Sequence, residues 1–160
     1  MEKRIIWPQI ITGALALALG VVVYVLDRPA SQTYFITQGA SLYQKGAAWF
    51  GVFGNYLPDF LHAFAFCLIT IGVMGGGRRI AIQASIFWLL VDGLFELGQH
   101  KAISKVIVHY IPDWFKQIPL LENTAAYFSH GRFDPLDLLS IALGVVAAYV
   151  LSRWKRFAAS

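Results

Sequence analysis

The sequence predicts an all-α polytopic membrane protein, a single domain of four transmembrane helices with an added amphipathic helix at the membrane interface. Three observations carry that expectation. Charged residues make up only 14% of the 160, where an ordinary soluble domain carries about 25%. Hydrophobic residues make up 58%, mean hydropathy is +0.59, and the apolar residues fall in blocks near the roughly 20 that cross a bilayer as helix. The basic residues are scattered, and many flank those blocks, so the net charge of +4 reads as membrane-orienting charge. A nucleic-acid partner is therefore not expected. Cys67 is the only cysteine, which excludes an intrachain disulfide and leaves the redox compartment open.

The first block runs from about Ile5 to Leu26, behind Glu2-Lys3-Arg4. A basic start before an apolar run also describes a secretory signal. The run is long for one, and Asp27-Arg28-Pro29 reads as a helix end at water, so a retained helix is expected. A connection rich in aromatics follows, including Tyr34, Phe35, Tyr43, Trp49, Phe50, Phe53 and Tyr56. The second block spans about Pro58 to Val73. Met74-Gly75-Gly76-Gly77-Arg78-Arg79 then turns tightly into the third, from about Ile80 to Leu97. Those glycines do not make a phosphate loop, because no strand precedes them and no Lys-Ser/Thr pair follows. The fourth block covers about Pro135 to Leu151.

Between the third and fourth blocks, Ile103, Val106, Ile107 and Tyr110 recur at i, i+3, i+4 and i+7, with Lys101, Lys105 and His109 largely off that stripe. That pattern predicts a helix over Lys101 to Phe115, lying in the headgroup layer or packed over the bundle as a loop helix. Orientation follows from charge. Seven of the thirteen basic residues sit in very short segments: Lys3, Arg4, Arg78, Arg79, Arg153, Lys155 and Arg156. Short-loop positive charge marks the cytoplasmic side, so both termini and the glycine turn are expected inside. The protein is expected in the plasma (inner) membrane of a bacterial cell, with its long connections facing outward.

Ionisable groups within spanning helices are costly and need a reason. Here they gather at one level. Asp59 and His62 enter with the second helix. Asp92, Glu96 and His100 leave with the third at i, i+4, i+8, with Gln99 beside them. Arg132, Asp134 and Asp137 enter with the fourth. Structural roles compete for each. Asp134-Pro135-Leu136-Asp137 reads as an N-cap, a proline at the first helical position and an acid in the first turn. Asp59 can complement a helix dipole, and His62 can be a satisfied core histidine. Asp92 and Glu96, one turn apart in an apolar helix, require donors or counter-charge. Arg132 is the expected partner of Glu96 or Asp137, and His62 of Asp92 or Asp59. A metal set of Asp59, His62, Glu96 and His100 lacks any closely spaced His/Glu motif, so neither metal nor cofactor is expected.

The Asp59-to-Phe66 segment, Asp-x-x-His-x-x-x-Phe, resembles the start of the second helix in VanZ-like membrane proteins. Glu96-x-x-Gln99 resembles the end of their third helix, and Gly131-Arg132 with Asp137 and Gly144 the entry to their last. Ile141 stands where that family usually carries Asn, and the stretch from Gln99 to Gly131 is longer. The resemblance implies an envelope-facing membrane protein, without a named reaction. Two functions are expected. One is a site at the outer leaflet that binds or processes a polar lipid or a lipid-linked envelope precursor, built from Asp59, His62, Asp92, Glu96, Gln99, His100, Arg132, Asp134 and Asp137. The other is an accessory subunit packed against a larger membrane complex, with the polar residues locking helices together.

Overall fold

A computed structural model describes residues 5–28, 41–44, 49–118 and 121–154. The basic start at Lys3 and Arg4, the tail charges Lys155 and Arg156, and Tyr34 and Phe35 lie outside the described residues. Among those described, the chain is all α, with six helices and no strand: α1 Trp7–Asp27, α2 Phe53–Val73, α3 Arg78–Gly98, α4 Lys101–Tyr110, α5 Thr124–His130 and α6 Pro135–Arg153. Helices α1, α2 and α3 have 21 residues each and α6 has 19. At 1.5 Å per residue these rise about 28–32 Å, the thickness of a hydrocarbon core. All four are apolar enough to span a membrane, so the chain is a multi-pass membrane protein. Their outward faces carry Leu15, Leu90, Val146 and Val150 in the open, as lipid-facing surfaces do.

Helix α2 is the hub and packs against α1, α6 and α3. Small residues permit the closest approaches. A Cβ on Gly13 of α1 would collide with the Ala65 carbonyl of α2, and one on Gly144 of α6 with the Phe60 carbonyl. Ala63, Cys67 and Leu68 of α2 then meet Ile141, Val145 and Ala148 of α6 in the core. In a bilayer such tight van der Waals contact is a main source of helix association, since lipid tails are as apolar as leucine.

The helix ends depart from the sequence expectation in ways with local causes. Helix α2 starts at Phe53, and Pro58, the expected start, lies inside it. Pro58 costs one hydrogen bond, to the Gly54 carbonyl, in the second turn, where the chain has already entered the helix. Helix α2 ends in a paired cap: Gly76 N–H donates to the Ile71 carbonyl at 2.9 Å and Gly75 N–H to that of Gly72 at 3.4 Å. This is the Schellman arrangement. Gly75, Gly76 and Gly77 hold φ of 85°, 72° and 93°, values that explain the three glycines. Helix α4 stops at Tyr110, short of the expected Phe115, because Pro112 keeps Ile111 extended at ψ 121°. A 3₁₀ turn over Asp113–Gln117 follows. The seven-residue α5 has no counterpart in the sequence reading, and α4 packs on it.

Candidate binding site at the polar end of the bundle

Because the four long helices alternate in direction, the end of α1, the starts of α2 and α6 and the end of α3 share one end of the bundle. The polar residues there form two tiers, a closed inner one and an open outer one.

The inner tier is paired. Asp92, 8% exposed, has His62 Nδ1 3.3 Å from one carboxylate oxygen, while its other oxygen is buried without a hydrogen-bond partner. Glu96, 5% exposed, ties three elements together. Its Oε1 accepts the backbone N–H of Asp134 at 2.8 Å, and its Oε2 accepts Gln99 Nε2 at 3.1 Å. Gln99 Nε2 also donates to the Tyr127 hydroxyl of α5 at 2.9 Å. Burial pushes the Tyr127 phenol above its ordinary range, so it stays neutral. Gly131 fits this knot because a Cβ there would strike the Gln99 side chain and the Tyr127 carbonyl. Gly131, far along the sequence from Glu96 and Gln99, thus belongs to one packing unit with them.

The outer tier is a cleft of about 610 Å³ whose walls include Arg28, Tyr56, Arg132, Phe133, Asp134 and Asp137. Two of its acids are committed to structure. Asp134 caps α6 by accepting Leu136 N–H at 2.9 Å, as expected from Asp134-Pro135. Asp27 accepts the N–H groups of Trp49 and Phe50, both at 2.9 Å, and so fastens the returning chain to the end of α1. The Asp137 backbone N–H donates to the Asp134 carbonyl at 3.0 Å, while its carboxylate makes no hydrogen bond with a described residue. Arg132 is exposed and forms no ion pair within 4.0 Å of a described acid. The expected contact of Arg132 with Glu96 or Asp137 is therefore absent among the described residues. Glu96 is already satisfied by neutral donors, and the extended backbone at Gly131 carries Arg132 to the rim.

No protein-family model, characterised protein or solved structure matches this chain.

A guanidinium that the sequence reading did not place here, that of Arg28, lines the same cleft. Its guanidinium stands 5.3 Å above the Tyr24 ring, donates to the Asn55 carbonyl, and lies within Coulombic reach of Asp59, Glu96 and Asp137. From sequence Arg28 read as a helix end at water. The signal that would have found it is direction: a helix leaving on the same side as Asp59 and Asp137 must deliver its last residues among them. Asp59 is half-buried and faces this group of charges. His100 is the member that leaves. Helix α3 ends at Gly98, so His100 takes extended φ and ψ, caps α4 by accepting Ala102 N–H at 3.4 Å, and stands edge-on to Phe133. The shared face with Asp92 and Glu96 therefore ends at Gly98. Among the described residues no three His, Cys, Asp or Glu side chains are grouped to hold a metal ion. The cleft offers two guanidiniums, an uncommitted carboxylate and aromatic walls, a set that fits an anionic group carrying hydroxyls or an amine.

Proposed function

We propose that the protein binds the polar headgroup of a phosphorylated membrane lipid, or of a lipid-linked glycan precursor, in the cleft at the outward end of its bundle. The observation that carries this is that Arg28 and Arg132 line one open cleft together with Asp137, and that neither Arg132 nor Asp137 forms an ion pair with a described residue. Arginines are suited to phosphate because the guanidinium fork matches two of its oxygens. The carboxylate of Asp137 then takes a sugar hydroxyl or an amine. The ordered segments that resemble VanZ-like proteins favour the same place, since all three contribute residues to this end. The short basic segments favour a bacterial inner membrane protein with cytoplasmic termini, so the cleft faces the cell exterior or periplasm.

Binding is tested on the purified protein by native mass spectrometry with phosphatidic acid and with phosphatidylcholine. Arg132→Ala, at an exposed rim residue, is expected to weaken phosphatidic acid about tenfold or more, the loss of roughly 1.4 kcal/mol or above, with thermal stability retained. Unchanged affinity in both Arg132→Ala and Arg28→Ala would end the proposal. Orientation is tested separately. With Cys67→Ala as background, an impermeant thiol reagent on intact cells should label Asn123→Cys and spare Met74→Cys, and the opposite pattern reverses the topology.

A second function, a subunit of a larger membrane complex, is favoured by one feature. Helix α4 leaves Ile103, Val106 and Tyr110 exposed on one stripe, an apolar surface that is expected only under lipid or a partner. Purification with a stoichiometric partner that covers α4 would support it.

A further inference from the structure

We infer that the amphiphile held in the cleft carries an apolar chain longer than one leaflet, laid along the groove between α2 and α6. This rests on the headgroup reading and adds the class of tail. The groove has a volume of about 590 Å³ and is walled by Phe60 and Phe64 of α2, by Leu143, Ala147 and Leu151 of α6, and by Trp154 at the C-cap of α6. Its floor is closed, because Gly144 brings the α6 backbone against the Phe60 carbonyl and leaves no passage between the helices. One wall is flat, with the Phe60 and Phe64 rings stacked at 5.9 Å and 10°.

The groove continues the cleft along both helices. Tyr56 lines the cleft and Phe60 and Phe64 line the groove, at i, i+4 and i+8, so the three follow one face of α2. On α6, Asp137 lines the cleft, and Leu143, Ala147 and Leu151 line the groove at i, i+4 and i+8. A chain leaving a headgroup in the cleft thus has the α2 face of Tyr56, Phe60 and Phe64 to follow into the groove.

The length of the track decides the class. From Pro135 at the cleft to Trp154 at the far end, α6 rises about 28 Å, whereas one leaflet of hydrocarbon is only about 15 Å deep. The groove itself starts at Leu143, roughly 12 Å below the level of Pro135, so its greater part lies deeper than the leaflet that an ordinary acyl chain occupies in a bilayer. A single polyprenyl chain fills it as one binding event. Ordinary diacyl lipids would need a second molecule from the opposite leaflet. Because moving an alkyl chain from lipid to protein gains little by itself, the preference comes from shape and contact along Phe60, Phe64 and Trp154.

The test compares undecaprenyl phosphate, farnesyl phosphate and dioleoyl phosphatidic acid on the full chain by native mass spectrometry. Undecaprenyl phosphate is expected to bind about tenfold tighter than the other two. Ala147→Trp, which fills the groove, should remove that advantage and leave farnesyl phosphate unchanged. The chain-length comparison on the native protein stands even where the variant folds poorly. Equal affinities for all three, or an advantage that folded Ala147→Trp retains, overturn the long-chain inference. In those cases the headgroup site survives provided Arg132→Ala still weakens all three probes. Binding of no phosphate amphiphile at all overturns both.

Discussion

Glu96 shows how a buried carboxylate can be held without an ion pair. Two acids one turn apart in an apolar helix demanded donors, and sequence supplied an obvious cation in Arg132. The structure answers with a backbone N–H from Asp134 and an amide from Gln99, partners whose positions depend on the fold. What was legible at this scale was that Asp59, Glu96 and Asp137 come to one end of the bundle; full membership and pairing were not, because both depend on where a helix ends. The end of α3 at Gly98 removes His100 from the cluster, and the end of α1 brings Arg28 into it. His62 with Asp92, one of the two pairings foreseen for that histidine, is present at 3.3 Å. Glu96→Ala leaves the Asp134 N–H without its acceptor and loosens Gln99, so it should destabilise the fold by about 1–3 kcal/mol. Glu96→Gln keeps an acceptor for Asp134 and should lose less. Chemical unfolding in detergent measures both, and an Ala variant as stable as the native protein would show that the knot contributes nothing.

At the scale of elements, apolar run length located all four spanning helices, since no other pattern in the chain competes with it. Boundaries were harder. The start of α2 was hidden because Phe53, Tyr56 and Leu57 read as part of an aromatic connection, and Pro58 read as a first position. Helix α5 was invisible because seven residues with Tyr127 and Phe128 adjacent show no helical period. Packing between elements turns on small residues whose role sequence did not reveal. A Cβ at Gly144 would strike the Phe60 backbone, whereas one at Gly93 would meet nothing closer than Leu138 at 3.9 Å. Gly144→Ala should therefore push α6 from α2 and cost about 1–3 kcal/mol. Gly93→Ala should be neutral or stabilise by up to about 1 kcal/mol through helix propensity. Comparing their thermal unfolding in the same detergent checks the contrast, and equal effects would show that the α2–α6 contact is not as close as described.

For the whole molecule, the open question is how the segment between α3 and α6 meets the membrane. Helix α4 turns Ser104 inward, half-buries Ile107, and packs on α5, while Ile103, Val106 and Tyr110 remain exposed and Lys101 and Lys105 are also exposed. The periodic stripe read from sequence is thus split. Ile107 serves the bundle, near Gly98, and the other three face away from it. An exposed Val, Ile and Tyr stripe in water is disfavoured at about 25 cal/mol per Å² of apolar surface. Placing the stripe at the acyl boundary removes that cost and lets the lysines reach anionic headgroups. Such a placement would also set α4 beside the cleft, since His100 at its cap touches Phe133 of the cleft wall. Spin labels at Val106→Cys and Lys105→Cys in a Cys67→Ala background, reconstituted in vesicles, separate the outcomes. Val106 should collide with oxygen more than with a water-soluble nickel chelate, and Lys105 the reverse. Both positions fully accessible to the chelate would place α4 in water, and both shielded from either reagent would indicate a protein partner over the helix instead of lipid.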